Sequence, residues 1–196
     1  MAELTTEDRV AVLERELEVA RAENNQLRLQ LHVFTSTDAL TGLANRNGLL
    51  DSLQGAIDRQ ARMQEPYSLV VMRFPQISGL VDEHNVDDYE EAIRHLGAIF
   101  AAGLRTVDRV GRLDEITFVA VLTNCPGEYI SAVIERSLMS IRALPLSMGA
   151  SEYSLDPAVV ALLSGEEVVP DAAVVFTRAE ELIGDAVPGA DVVIGI

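Results

Sequence analysis

The chain has 196 residues, 48% of them hydrophobic, which is enough for one globular domain with a packed core and an appended segment. A net charge of −16 argues against non-specific binding to DNA, RNA or anionic membranes. All basic side chains are arginines, so no lysine is available as a Schiff base or a phosphate-binding ammonium. A single cysteine, Cys125, excludes an intramolecular disulfide. Without a recognisable signal peptide or membrane span, we expect a cytoplasmic protein.

Residues 5–34 have the heptad pattern of a coiled-coil helix. The a and d positions are Val10, Leu13, Leu17, Ala20, Asn24, Leu27, Leu31 and Phe34. Asn24 at an a position favours a two-stranded, in-register pair, and Glu16 would face Arg21 of a partner chain. We therefore predict a parallel homodimer over residues 1–35, followed by a domain over residues 36–196. The alternative is a single amphipathic helix that packs on its own domain.

The elements after the coiled coil alternate between helix and strand. Ser36, Thr37 and Asp38 offer N-cap side chains for a new helix, and Gly42 supplies a turn. The apolar spacing predicts helices over 46–63, 87–104, 130–141 and 173–183. Strands are predicted over 67–74, 107–110, 118–122, 144–148 and 192–196, and residues 152–172 are predicted to be irregular. The pattern predicts an α/β (α+β) domain whose central sheet is flanked by helices.

Two motifs indicate a family. Residues 37–46 read TDALTGLANR, which is similar to the opening motif TDxLTGLxNR of the GGDEF family, the diguanylate cyclases. Residues 108–113, DRVGRL, resemble the strand that leads into the family's signature turn. The resemblance covers residues 36–196 and implies the palm-like fold of nucleotide cyclases. A coiled coil ahead of the domain is frequent in the family.

The signature itself differs from the family's Gly-Gly-Asp-Glu-Phe. The five positions hold Asp114, Glu115, Ile116, Thr117 and Phe118, of which only Phe118 fits. A shifted frame would read Asp114 and Glu115 as the family's acidic pair. It would also put Arg112 and Leu113 where two glycines belong and would break the alignment of the apolar strand. We therefore keep the unshifted frame.

The resemblance implies an enzyme that joins two GTP molecules, and the residues here depart from what that reaction needs. The glycines let a triphosphate lie against the backbone, whereas Asp114 and Glu115 present negative charge to it. The two positions that ligate metal in the family hold Arg73 and Ile116, so no metal site is expected. The family's guanine-binding and phosphate-binding positions hold Val81, Glu90 and Ala186. We expect no cyclase activity and no cofactor.

A second family site remains in the sequence. Many members bind cyclic di-GMP at an inhibitory site marked by RxxD five residues before the signature, and Arg105 and Asp108 occupy those positions. Arg136 matches a further arginine of that site. Arg59 lies where some members contribute an arginine from the neighbouring subunit. Arginine binds phosphates and the Hoogsteen edge of guanine bidentately, and a carboxylate accepts from guanine N1–H and N2–H.

These motifs lead to two hypotheses. The first is a catalytically inactive cyclic di-GMP receptor that signals to a protein partner through its coiled-coil dimer. The second is a ligand-free scaffold or dimerisation module that docks a protein. A weaker third is GTP binding without turnover. None of them involves nucleic acid or membrane insertion.

Overall fold

The computed structural model describes residues 36–166, 169, 171–189 and 191–195, together with Arg15, Leu17, Glu18 and Arg21. The chain divides into two compact units, Met1–Thr35 and Ser36–Ile196. The four described residues of the first unit are helical. The rest of the predicted seam lies outside the described residues, so the parallel coiled coil stays a prediction.

Five α-helices and seven strands make up the described part of the second unit. The helices are α1 Arg46–Met63, α2 Leu80–Glu83, α3 Val86–Ala102, α4 Ile130–Ala143 and α5 Ala172–Asp185. The strands are β1 Tyr67–Arg73, β2 Arg109–Arg112, β3 Thr117–Thr123, β4 Leu146–Met148, β5 Ser151–Tyr153, β6 Ala158–Leu163 and β7 Asp191–Gly195. Short 3-10 turns span Pro75–Ile77 and Gly127–Tyr129. No helix in the described ranges is both long and apolar enough to cross a membrane.

The central sheet has the strand order β2-β3-β1-β6-β7. Strand β1 lies in the middle and pairs antiparallel with both β3 and β6, whereas β6 and β7 are parallel. Strands β4 and β5 form a separate antiparallel hairpin. This arrangement confirms the predicted α/β class with a central sheet flanked by helices.

Each face of the sheet has its own hydrophobic core, because successive side chains of a strand point to opposite faces. On β1, Val70 and Met72 pack with helices α3 and α4, and Leu69 and Val71 pack with α1 and α5. Phe118 of β3 contacts the Phe74 and Phe100 rings edge-on, with centroids 6.0 and 6.5 Å away. The sheet thus holds the β2–β3 hairpin in a fixed register.

The prediction that residues 152–172 are irregular is wrong. They contain the end of β5 and all of β6, and β6 is a buried interior strand of the sheet. Because β6 is covered on both faces, its sequence AVVALL has no polar alternation to mark it as a strand.

Two local boundaries also differ from the predictions. Helix α1 is capped by Asn45, whose side-chain oxygen accepts from the Gly48 N–H at 3.1 Å, and not by the residues at 36–38. The first strand of the hairpin begins at Arg109, whereas the prediction began it at Val107. A turn closed by the Asp108 N–H and the Arg105 carbonyl, 3.0 Å apart, delays its start.

Gly111 is needed where α1 and the 37–45 loop approach the edge strand β2. A Cβ atom there would lie 2.5 Å from the Ala44 carbonyl oxygen and 2.6 Å from Leu49 Cγ. We expect Gly111→Ala to lower the free energy of unfolding by about 1–3 kcal/mol in urea denaturation. The matched control is Gly184→Ala in helix α5, where a Cβ would meet nothing within 4 Å. It should raise stability by about 0.5–1 kcal/mol, and an equal effect of the two substitutions would contradict the packing argument.

Candidate functional site

The loop over residues 37–45 closes the free edge of the sheet. Asp38 organises it by accepting hydrogen bonds from the N–H and the hydroxyl of Thr41, at 2.9 and 2.6 Å. Gly42 takes a positive φ of 71° in the following turn. Ala44 then pairs with β2, donating to the Val110 carbonyl at 3.0 Å and accepting from the Arg112 N–H at 2.8 Å. The TDALTGLANR motif is therefore a structural element that positions β2.

The turn between β2 and β3 is closed by its own hydrogen bonds. The Leu113 N–H donates to the Thr117 carbonyl at 2.9 Å, and the Asp114 carboxylate accepts from the Ile116 N–H at 2.9 Å. Arg112 donates from Nη2 to the Glu115 carbonyl at 3.2 Å. Asp114 and Glu115 are both exposed, so the turn presents two carboxylates to any ligand that approaches it.

Tyr89 of helix α3 holds the side chain of Glu115. Its hydroxyl donates to Glu115 Oε1 at 3.1 Å. Burial raises the pKa of Tyr89 to about 12, with further contributions from the hydrogen bond to Glu115 and its charge, and Arg112 opposes the shift. Arg112 also places Nη1 3.8 Å from Asp38 Oδ1. The residues Asp38, Arg112, Glu115 and Tyr89 thus connect the 37–45 loop, the turn and α3.

The residues at the expected metal positions do not fit a divalent cation. Arg73 ends β1 opposite Thr117, and the Ile116 side chain packs against the core. Hard cations require oxygen ligands, which neither side chain provides. In the described ranges, no group of three or more His, Cys, Asp or Glu side chains could hold a metal ion. Glu90 forms an ion pair with Arg94, and Ala186 is the C-cap residue of α5.

Arg105 and Asp108 form a compact ion pair between α3 and β2. The Asp108 carboxylate accepts from Arg105 Nε and Nη2 at 3.2 and 3.1 Å, and from the backbone N–H of Thr123 at 3.3 Å. Arg105 Nη2 also donates to the Thr123 carbonyl at 2.7 Å. The Asp108 side chain is only 2% exposed, whereas that of Arg105 is 51% exposed. Asp108 therefore positions Arg105, and the hydrogen bond between them raises the pKa of Arg105.

The other two predicted ligand-binding arginines, Arg136 and Arg59, lie on helices that approach this part of the chain. Arg136 of α4 donates from Nε to the Gly103 carbonyl at 2.9 Å, two residues before Arg105 in the chain. Arg59 of α1 lines a groove of about 310 Å³ that residues 106–109 also line, and its Nε lies 4.0 Å from a Glu65 carboxylate oxygen. The structure thus brings the four predicted residues to one region around the Arg105–Asp108 turn.

Sequence reasoning missed Tyr89 and Arg112 as members of the network at the signature turn. Tyr89 falls on the apolar stripe of a helix and is 6% exposed, so its spacing indicates only a core residue. Arg112 is separated from Asp38 by most of the domain's first half. Only the pairing of Ala44 with β2 brings these two together.

Comparison with known proteins decides the family. The model for the diguanylate cyclase GGDEF domain matches residues 35–161. The chain belongs to the GGDEF family. A diguanylate cyclase of Vibrio cholerae is 24% identical over 158 residues, covering 81% of this chain and 48% of that protein. The chain spans less than half the length of the curated relatives it matches.

Solved GGDEF structures share the fold. The crystal structure of the diguanylate cyclase SiaD with its activator SiaC, from Pseudomonas aeruginosa, gives a TM-score of 0.73 at 22% identity, covering 96% of this chain and 74% of that one. The crystal structure of the coiled coil and GGDEF domain of DgcB from Caulobacter crescentus, in complex with c-di-GMP, gives a TM-score of 0.69 at 17% identity. It covers 93% of this chain and 99% of that one. The GGDEF domain described here therefore has the architecture of its family.

Because the pKa of Tyr89 is raised, we expect the free energy of unfolding to depend on pH in the alkaline range. The folded-state pKa of Tyr89, about 12, lies above its ordinary value of 10.0, so the unfolded chain loses the phenolic proton first. The stabilisation is therefore complete below about pH 10 and is lost as pH rises towards about 12. We expect the wild-type free energy of unfolding to fall more steeply than that of Tyr89→Phe between about pH 10 and 12, measured by urea denaturation. Parallel curves would contradict the assignment.

Proposed function

We propose that this GGDEF domain binds cyclic di-GMP without synthesising it, and that an N-terminal coiled-coil dimer transmits the bound state to a protein partner. Two lines of argument support the proposal, one for the absence of synthesis and one for binding. The single observation that carries the binding argument is the half-exposed Arg105 guanidinium, held rigidly by the buried carboxylate of Asp108.

The register of the sheet supports the unshifted reading of the signature. Phe118 of β3 pairs with Met72 of β1 and is fully buried, as expected for a strand residue that follows the turn. The four preceding positions, 114–117, then hold no glycine and put two carboxylates on the turn. A triphosphate approaching this turn would meet side chains and like charge, because Glu115 is held in place by Tyr89. This supports an inactive cleft.

The metal positions support the same conclusion. Phosphoryl transfer between two polyanions depends on cations that offset the developing charge. The side chains of Arg73 and Ile116 offer no oxygen ligand for such a cation. An arginine at the end of β1 provides a positive charge, but it cannot replace two metal ions that orient a hydroxyl and a leaving group. We therefore derive no catalytic step in this cleft.

The Arg105–Asp108 turn supports ligand binding. A guanidinium whose rotamer is already held pays little conformational entropy when it binds a phosphate or a guanine edge. Arg136 adds a second cation close by at the end of α3, where it donates to the Gly103 carbonyl. The GGDEF domain of DgcB, which shares this fold, was crystallised in complex with c-di-GMP, and this makes the same ligand the first candidate here.

We propose that the receptor acts by binding a protein partner. The seam from Val10 to Phe34 is predicted to join two copies. SiaD, another protein with this fold, forms a complex with its activator SiaC. A chain of net charge −16 is suited to a protein partner with a basic surface and unsuited to nucleic acid.

Binding is tested by calorimetry with cyclic di-GMP on the full chain. We expect a dissociation constant in the micromolar range or below, and a loss of affinity of about tenfold or more in Arg105→Ala. The matched control is Arg178→Ala, which removes another exposed arginine that pairs with a carboxylate three residues away. It should bind like the wild type. Absence of heat with the wild-type protein would overturn the proposal in favour of a ligand-free scaffold.

Absence of synthesis is tested by incubating the protein with GTP and Mg²⁺ and separating the products by chromatography. We expect no cyclic di-GMP from the wild type, and none from Arg73→Asp, because restoring one carboxylate leaves Asp114 and Glu115 in the turn. The Vibrio cholerae diguanylate cyclase, run in parallel, is the positive control. Product from the wild-type chain above the level of a heat-denatured sample would refute the inactive assignment.

A further inference from the structure

A groove of about 400 Å³, here called the hairpin groove, lies between helix α3 and the β4–β5 hairpin. The residues that α3 contributes are spaced i, i+3, i+4 and i+7, so they share one face of the helix. The opposite wall consists of a residue of β4 and the glycine of the hairpin turn. The lining residues are Asp88, Glu91, Ala92, His95, Ser147 and Gly149. None of them belongs to the signature turn or to the Arg105–Asp108 turn, so the hairpin groove is separate from both.

The hydrophobic core fixes both walls of the hairpin groove. Leu146 and Met148 of β4 are buried in the core that α3 also covers, and Ser147 between them is exposed and lines the groove. On β5, the Tyr153 hydroxyl lies 2.6 Å from Nε2 of His84, in the segment just before α3. These contacts hold the hairpin against the start of α3, so the groove is formed before any partner binds.

The carboxylates in and beside the hairpin groove have no cationic partner among the described residues. Asp88 and Glu91 line the groove. Three more carboxylates are exposed close by in the chain, those of Asp82, Glu83 and Asp87. In the described ranges, none of the five forms an ion pair with an arginine. The positive end of the α3 dipole acts only within the first turn, so the charge of Glu91, one turn further along, is uncompensated.

The hairpin groove is unsuited to three kinds of ligand. In the part of the chain that the structure describes, no group of three or more His, Cys, Asp or Glu side chains could hold a metal ion. The phosphates of a nucleotide or a nucleic acid would meet like charge here. A second copy of this chain carries the same net charge of −16 and is repelled as well. The group of matching charge is therefore an ammonium or a guanidinium.

A basic side chain of another protein fits the groove in shape as well as in charge. Ala92 is 2% exposed and lies on the same helix face as the two carboxylates, so it gives the groove an apolar floor. Lysine and arginine bury their methylene stems on apolar surface while the charged end stays at polar groups. Arginine can also bind a carboxylate through two parallel hydrogen bonds. The groove volume falls within the range of about 300–1,000 Å³ that is typical of pockets for organic groups.

We infer that the hairpin groove is the docking surface for a basic segment of the protein partner. The stem of an arginine or lysine lies over Ala92, and its charged end lies between Asp88 and Glu91. The exposed carboxylates of α2 attract the basic segment at longer range and increase the rate of association. This inference rests on the proposed function for the existence of the partner, and it adds the place and the chemistry of docking.

Docking is tested by fluorescence anisotropy, in which the full chain is titrated into a labelled peptide of alternating arginine and alanine at about 0.15 M salt. We expect Glu91→Arg to lower the affinity for the peptide by about tenfold or more, because it puts a repulsive charge in the groove. The matched control is Glu135→Arg on α4, where an exposed glutamate also forms no ion pair in the described ranges. Both variants change the net charge equally, so the control should lower the affinity by about twofold or less.

A second variant tests the shape of the groove at constant charge. Ser147→Leu adds an apolar side chain at an exposed strand position that lines the groove. We expect it to lower the affinity for the peptide by about fivefold or more, because the leucine blocks the entry of the basic side chain. Since Glu91 and Ser147 are both exposed, the thermal melting curves of the two variants should coincide with that of the wild type.

The outcomes separate this inference from the proposed function. Equal losses in Glu91→Arg and Glu135→Arg would overturn the inference, since the peptide would then respond to the net charge alone. Unchanged affinity in Ser147→Leu, or no binding of the peptide to the wild type, would overturn it as well. Calorimetry with cyclic di-GMP is the independent measurement, and Glu91→Arg should bind that ligand like the wild type. Absence of cyclic di-GMP binding with intact peptide binding would overturn the receptor and leave the docking surface in place.

Discussion

The buried carboxylate of Asp108 holds together the region on which the proposed site depends. It accepts from Arg105 on one side and from the Thr123 backbone on the other, so it joins the turn after α3 to the end of β3. A carboxylate that is 2% exposed requires these partners, because an unpaired buried charge costs several kcal/mol. The same hydrogen bonds fix where β2 begins, which sets the positions of Arg105 and of Arg109, the first residue of that strand.

The turn at residues 105–109 and the signature turn at residues 114–117 differ in the charge that they present. At the turn, Asp114 and Glu115 are exposed, and the Tyr89 hydroxyl donates a hydrogen bond to Glu115. Around the turn at 105–109, the one carboxylate of the RxxD motif is buried and paired, and the arginines project. The protein is strongly acidic overall, so the local sign of the charge, and not the net charge, decides which of the two places is suited to a phosphate.

Much of the fold followed from the sequence, and the exceptions have physical reasons. The helix predicted from residue 46 to about residue 63 is found at Arg46–Met63, because its apolar stripe and the polar segment that follows it are clear in the sequence. Strand β6 was missed because a strand buried on both faces has a continuous apolar run. Motif spacing predicted Arg105, Asp108 and Arg136, but not that Asp108 is buried.

The geometry of β2 explains how the signature turn at its end can change without altering the arginines at its start. The strand is four residues long, so Arg109 and Arg112 at its ends are about 10 Å apart. Their cross-strand partners, Val121 and Phe118, belong to the cores on opposite faces of the sheet. Side chains at 114–117 can therefore be replaced without moving Arg109, provided that Gly111 keeps its contact with α1 and Phe118 keeps its place beneath α3. Changes in the signature turn at one end of this strand would therefore leave in place the framework that positions arginines at the other end.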